Sequence, residues 1–176
     1  TYPRTKKWAK NSILKFNLNE LRKNIDIHLC SYVWTSKIFY NYMIKSKTKG
    51  NIILFSSMYG IIAQDETNYT GTKMSENAIY PIIKSGILAF VRQSAVILGK
   101  YEIRVNAISP GAIKGHVAGL AKKQNSKFVN RFKKRVPLKR LAKPEEVVEA
   151  VKYLASEKSS YVTGSNLIID GGWSII

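Results

Sequence analysis

The sequence predicts an α/β fold: a short parallel sheet covered by helices, the C-terminal portion of a doubly wound sheet. Three observations carry this reading. A strand-length apolar run at 51–56 and a short strand pattern at 103–108 precede polar or turn-forming residues. A third short run, 166–169, lies close to the C-terminus. Helix-length segments separate the runs, and crossovers that long bring successive strands parallel, because tight turns join only antiparallel neighbours.

The elements follow in order. Glu20 to Ile44 predicts one long helix whose apolar face is Leu21, Ile25, Leu29 and Val33, ended by Ser46-Lys47-Thr48-Lys49-Gly50. Asn51 to Ser56 holds an uninterrupted apolar stretch, Ile52 to Phe55, the mark of a parallel strand covered on both faces. Gln64 to Met74 is irregular and polar. A second helix is expected from about Asn77 to Leu98, apolar at Ile79, Ile82, Ile83, Phe90 and Val91 and stopped by Gly99. Ile103 to Ile108 is the next strand, broken by Ser109-Pro110-Gly111. Pro144-Glu145-Glu146 opens a further helix, with proline suited to the first turn and the acids favoured near the N-terminus. Its buried face is Val147, Val148, Val151, Leu154 and Ala155, and Asn166 to Ile169 is the last strand before Asp170-Gly171-Gly172.

Such a sheet is narrow, and at least one flank should be an uncovered edge. The chain also has no Gly-x-Gly-x-x-Gly turn between a strand and a helix, the usual phosphate cradle. The expectation is a single incomplete domain over 1–176 whose missing strands and glycine-rich turn precede Thr1. A first residue that is Thr rather than Met suits a fragment or a processed product.

Composition bounds the function. The 176 residues carry a formal charge of +18. Nucleic acid or an anionic membrane surface is the sharp reading of that charge. The basic residues, however, occur on almost every segment without the repeated aromatic interleaving that binds single strands, so a Lys-rich surface is favoured. The 122–143 stretch stands out, with ten Lys/Arg residues and no acid. No apolar run approaches the roughly 20 residues of a membrane span, the longest candidate being broken by Pro81, Lys84 and Gly86. One cysteine, Cys30, excludes an intrachain disulfide and suits the cytoplasm. Two His and one Cys, widely separated, disfavour a metal site, and the absence of Gly-x-Ser-x-Gly disfavours a serine hydrolase.

Chemistry concentrates at three places. Tyr80 and Lys84 are four apart on a predicted helix and share a face. A free phenol titrates near ~10 and is a poor base at neutral pH; an ammonium beside it favours the phenolate and draws the value down. The alternative is a tyrosine packed on a lysine stem. Ser57 follows a buried parallel strand at its carboxyl end, where open α/β sheets place ligands; its hydroxyl suits a substrate oxygen on which charge develops, the alternative being a turn cap. Asn106-Ala107-Ile108-Ser109-Pro110-Gly111 ends the next strand similarly, with a turn allowing close backbone approach.

Together, 53–60, Tyr80-Pro81-Ile82-Ile83-Lys84, 104–111, and Tyr161-Val162-Thr163-Gly164 through Ile169-Asp170-Gly171-Gly172 resemble the ordered C-terminal motifs of the short-chain dehydrogenase/reductase family, across nearly the whole chain. Tyr2-Pro3-Arg4 resembles the segment just after that family's Asn-Asn-Ala-Gly motif. The resemblance implies a Rossmann-type fold, an NAD or NADP cofactor whose first half-site lies upstream, and a homodimer or homotetramer. It implies that Tyr80 exchanges a proton with the alcohol or carbonyl oxygen. Lys84 would lower its pKa and bind the nicotinamide ribose, Ser57 would hold the substrate oxygen, and Pro110, Gly111 and Ile113 would line the nicotinamide.

Three departures matter. Where the family has a relay Asn on the preceding helix, this chain has His28, which suits a proton relay or a core position. Lys114-Gly115-His116 stands where a Thr often meets the cofactor amide. Ser57 and Tyr80 are 23 positions apart (80 minus 57), longer than the family's common spacing, with 65–74 as the extra stretch. That insertion, with Tyr59-Gly60-Ile61-Ile62-Ala63 and Gly172-Trp173, resembles the flagellin-modification oxidoreductases of legionaminic-acid-type sugar biosynthesis. In the family the segment after Pro-Gly is a substrate lid, here about 112–143 and basic. An anionic small-molecule substrate, a phosphorylated or nucleotide sugar, would then meet some of Lys122, Lys123, Lys127, Arg131, Lys133, Lys134 and Arg135. Against the oxidoreductase stand two alternatives, an inactive truncated remnant and a basic nucleic-acid-binding module.

Overall fold

The computed structural model describes residues 11–115 and 124–176. Helix α1 (Leu18–Ile25) runs into a π-turn (Asp26–Cys30) and on into α2 (Ser31–Ser46). Strand β1 (Gly50–Phe55), helix α3 (Ile79–Leu98), strand β2 (Ile103–Pro110), helices α4 (Ser126–Arg135) and α5 (Pro144–Ala155), and strand β3 (Asn166–Ile169) complete the framework. The three strands form a parallel sheet in the order β1-β2-β3. Gly50 stands opposite Ile103, Phe55 opposite Ile108, and Pro110 opposite Ile169.

The pleat sorts side chains into two layers. Ile52 and Leu54 of β1, with Val105 and Ala107 of β2, pack against Ile79, Ile83, Ile87 and Val91 of α3. Leu21, Ile25, Leu29 and Tyr32 of the first helix close the same layer. On the other face Ile53, Ile108, Leu167 and Ile169 meet Val147 and Leu154 of α5. Arg104 and Asn106 stitch the sheet to the next turn, donating to the carbonyls of Leu154 and Val162.

Several expectations are corrected. The first helix is longer than 20–44 and is not continuous. With 3.6 residues per turn, apolar residues at strict intervals of four drift by about 40° per step. The wider π-turn at 26–30 takes up part of that drift between Leu21 and Val33. Strand β1 is only half-buried, with Phe55 39% exposed, because it lies at the sheet edge. Helix α3 does end at Leu98 with Gly99 as its C-cap, but Gly99 keeps a right-handed conformation; a separate 3-10 turn follows to Tyr101, and the left-handed residue is Glu102 at φ 56°. Strand β2 runs on through Ser109 and Pro110, whose missing amide proton is tolerated at the strand's last position. Finally, α3 with its extension, Ile79–Tyr101, is long and apolar enough by length and composition to cross a membrane, despite Pro81, Lys84 and Gly86. Here that apolarity serves the core, since Ile79, Ile83 and Ile87 are fully buried.

Candidate active site

The site is built where β1 ends and α3 begins. Ser56 Oγ donates to the Lys84 carbonyl (2.9 Å), tying the strand tip to the helix. A 3-10 turn at 58–60 then lies directly on α3. A Cβ at Gly60 would stand 2.7 Å from Ser56 Oγ and 3.0 Å from the Lys84 carbonyl carbon, so only glycine permits that approach. Ser57, left extended between tip and turn, accepts from the Tyr59 amide (3.2 Å) and is hydrogen-bonded to the Tyr80 phenol. The hydroxyl pair expected from the sequence is therefore formed, and Ser57 caps its turn as well.

Lys84, 7% exposed, donates from Nζ to the Phe55 carbonyl (2.8 Å). The ammonium lies 5.7 Å from the Tyr80 ring centre and 5.8 Å from that of Tyr32. Burial lowers its pKa to about 8. Tyr80 departs from expectation: its pKa is raised. Burial dominates, the hydrogen bond from Ser57 opposes it, and the field of Tyr32 adds to it. A partly neutralised Lys84, committed to a backbone carbonyl, does not offset the desolvation of the phenol. His28 sits half-buried on the π-turn, and its pKa is lowered by burial and by the field of Lys84.

The predicted cofactor-lining residues lie at the sheet's carboxyl end, but two have packing duties. A Cβ on Gly111 would stand 2.8 Å from Asp170 Cα, so this glycine serves contact with the β3 turn. Ile113 bridges to Ala142 and packs on the α5 layer. Pro110 ends β2 beside Ile169. Lys84 at the tip of β1 fits the ribose end of a dinucleotide, whereas the chain lacks a glycine-rich turn for its phosphates.

The basic segment is folded over the same place. Phe132 and Val136 of the α4 region join Met58, Tyr59 and Trp173 in a cluster against which Tyr80 packs. Arg135 pairs with Asp65 and lies 4.7 Å above the Trp173 ring, and Arg131 donates to the Thr70 carbonyl. These contacts revise the anion expectation for Arg131 and Arg135. Lys127, Lys133 and Lys134 are exposed, while Lys122, Lys123, His116 and Tyr2-Pro3-Arg4 lie outside the described residues.

Sequence reasoning missed two residues. Tyr32 needed the long-range packing of the first helix on α3. Asn77 Oδ1 accepts from the amides of Ile79 (3.0 Å) and Tyr80 (3.1 Å), and an Asn just before an apolar helix is a legible cap signal.

A parallel sheet with a serine, a tyrosine and a lysine gathered at its carboxyl end defines a class of dehydrogenase-like α/β domains. Residues 4–174 match the family model described as enoyl-(acyl carrier protein) reductase. The chain belongs to the short-chain dehydrogenase/reductase family. It is 29% identical over 99% of its length to the post-translational flagellin modification protein A of Campylobacter coli, covering 65% of that protein. It is 36% identical over 80% of its length to the D-arabinitol 2-dehydrogenase of Scheffersomyces stipitis, covering 48%. Among solved structures, a short-chain dehydrogenase from Leptospira borgpetersenii with bound NAD+ superposes with a TM-score of 0.80 at 32% identity, over 90% of this chain and 57% of that one. The chain thus spans about half to two thirds of the length of the relatives it matches.

Proposed function

We propose that the complete protein is an NAD(P)-dependent oxidoreductase interconverting an alcohol and a carbonyl, with Tyr80 as the proton-exchanging group. The observation that carries the reading is the Ser57–Tyr80 hydrogen bond with Lys84 one helical turn along, all at the carboxyl end of the parallel sheet. The nicotinamide, when bound, supplies or accepts the hydride. Ser57 holds the substrate oxygen, and Tyr80, protonated at neutral pH because burial holds its pKa up, donates to that oxygen in carbonyl reduction. Lys84, whose Nζ meets the Phe55 carbonyl at the strand tip, would hold a ribose hydroxyl of the cofactor there. His28, held neutral next to Lys84, can take and give a proton and so refill the site.

The edge of β1 supports the expectation that further strands and a glycine-rich turn belong to the whole protein, since half-buried apolar residues there have covered partners on one side only. This chain alone should therefore show little or no turnover. A sugar or polyol substrate is supported by relatives that include a D-arabinitol 2-dehydrogenase, an L-xylulose reductase and a glucose 1-dehydrogenase. An anionic sugar is supported by the exposed ammonium groups of Lys127, Lys133 and Lys134 on α4. We place the protein in the cytoplasm as a homo-oligomer. The test is Tyr80→Phe in the complete enzyme: kcat should fall by at least ~1000-fold, by the usual size of general acid catalysis, with cofactor binding nearly intact. Unchanged turnover would end the reading.

A further inference from the structure

We propose that the Asp65–Arg135 pair is a latch by which the insertion holds α4 closed over Tyr80, making Asp65 and Arg135 positioning residues for the substrate wall. Its catalytic consequence rests on the proposed function; the latch itself does not.

Three contacts join the insertion to α4. Arg135 pairs with Asp65 Oδ2. Arg131 donates to the Thr70 carbonyl. The Tyr69 and Phe128 rings stack at 5.8 Å with their planes 10° apart. The insertion is itself shaped to present the carboxylate. Asp65 Oδ1 accepts from the Thr67 amide (2.9 Å) and hydroxyl (2.7 Å), capping the short turn at 66–69 and leaving Oδ2 for Arg135. One turn further along, α4 seats Phe132 on Trp173, rings 4.2 Å apart and 10° from parallel. The Arg135 guanidinium covers the same indole at 4.7 Å. Arg135 therefore links three segments at once: the insertion, the lid helix and the C-terminal turn. Because Tyr80 packs into the cluster that Phe132 and Trp173 belong to, the position of Arg135 sets the wall facing the phenol. A planar guanidinium suits this double duty, since its edge meets a carboxylate while its face meets a ring.

The test is hydrogen exchange on the full chain with Trp8 and Trp34 replaced by Phe, leaving Trp173 as the emitting residue. Asp65→Asn keeps the Thr67 cap and removes only the charge. It should speed exchange of the α4 amides about fivefold, the size expected for a half-exposed pair, with α5 amides unchanged as reference. Arg135→Gln should do the same and also shift Trp173 emission. Unchanged α4 exchange in both variants overturns the latch, and so does equal acceleration in α5, which would make the pair a support of the fold in general. In the complete enzyme Asp65→Asn should raise KM severalfold with kcat nearly unchanged. Absence of turnover in the parent enzyme would count against the oxidoreductase reading and leave the exchange result to judge the latch.

Discussion

Two regions surround the Tyr80 phenol, and they handle positive charge in opposite ways. At the strand tip the cation Lys84 is buried beside a carbonyl and two aromatic rings, and its pKa falls to about 8. In the 122–143 stretch ten Lys and Arg residues occur together, yet those that the structure describes are half-exposed or exposed. Arg135 is tied to Asp65, Arg131 to a carbonyl, and Arg140 to Glu146 through both guanidinium edges. The difference teaches that density of charge does not locate chemistry. Desolvation does, because only a buried cation has a protonation state that a small change in surroundings can move.

The largest expected effect sets the apolar contacts of α4 against its charges. Phe132 is 1% exposed and stacked on Trp173, so Phe132→Ala should cost about 3–5 kcal/mol of stability, read by denaturant unfolding. Removing the Asp65 charge should cost no more than about 1 kcal/mol. If the two losses were equal, α4 would be held by its ion pairs and the contrast would break.

The next prediction concerns Lys84 and is a matter of sign. Its folded pKa, about 8, lies below the ordinary 10.5. Below pH 8 both folded and unfolded chains hold the proton, and burial of the charge opposes folding. Between 8 and 10.5 the folded chain has released the proton that the unfolded chain keeps, so stability rises with pH across that window. The total is on the order of 3 kcal/mol. Lys84→Met should flatten this rise, be at least as stable as the parent at pH 7, and be severely impaired in turnover. A thermal-melting series from pH 7 to 10.5 on both proteins reads the slope. An unchanged slope would place the burial penalty elsewhere.

Legibility followed the range of the interactions involved. Strand β3 was readable to the residue because a short apolar run lies between polar turns, and the opening of α5 at Pro144 because proline and first-turn acids are local signals. The facing of Tyr80 and Lys84 needed only helical spacing. What could not be read depended on partners far along the chain. The depressed pKa of Lys84 comes from packing between β1, α3 and Tyr32; the engagement of Arg135 comes from Asp65, 70 positions away. Likewise the glycine of Pro110-Gly111 looked like an approach for a ligand, and its neighbour proved to be Asp170. The π-turn had a legible trace, the strict four-residue spacing of Leu21, Ile25, Leu29 and Val33, whose drift a continuous α-helix would not absorb.

The smallest effect sharpens the contrast at the boundary between the two regions. Gln64 Oε1, at the start of the insertion, accepts from the Asn77 amide at 2.8 Å, and Asn77 Oδ1 in turn holds the amides of Ile79 and Tyr80. The stretch leading into the insertion thus reaches Tyr80 through the helix backbone, as well as through the side-chain cluster that α4 shares with it. Losing such a cap costs about 1 kcal/mol, so Asn77→Ala should melt a few degrees lower. A cap that only stabilised the helix would leave kcat alone. One that positions Tyr80 should lower kcat severalfold with little change in KM, and Asn77→Ser, which can still accept from both amides, should restore kcat. Steady-state kinetics of the two variants separates these outcomes, because stability falls in either case and only a misplaced phenol slows the proton transfer.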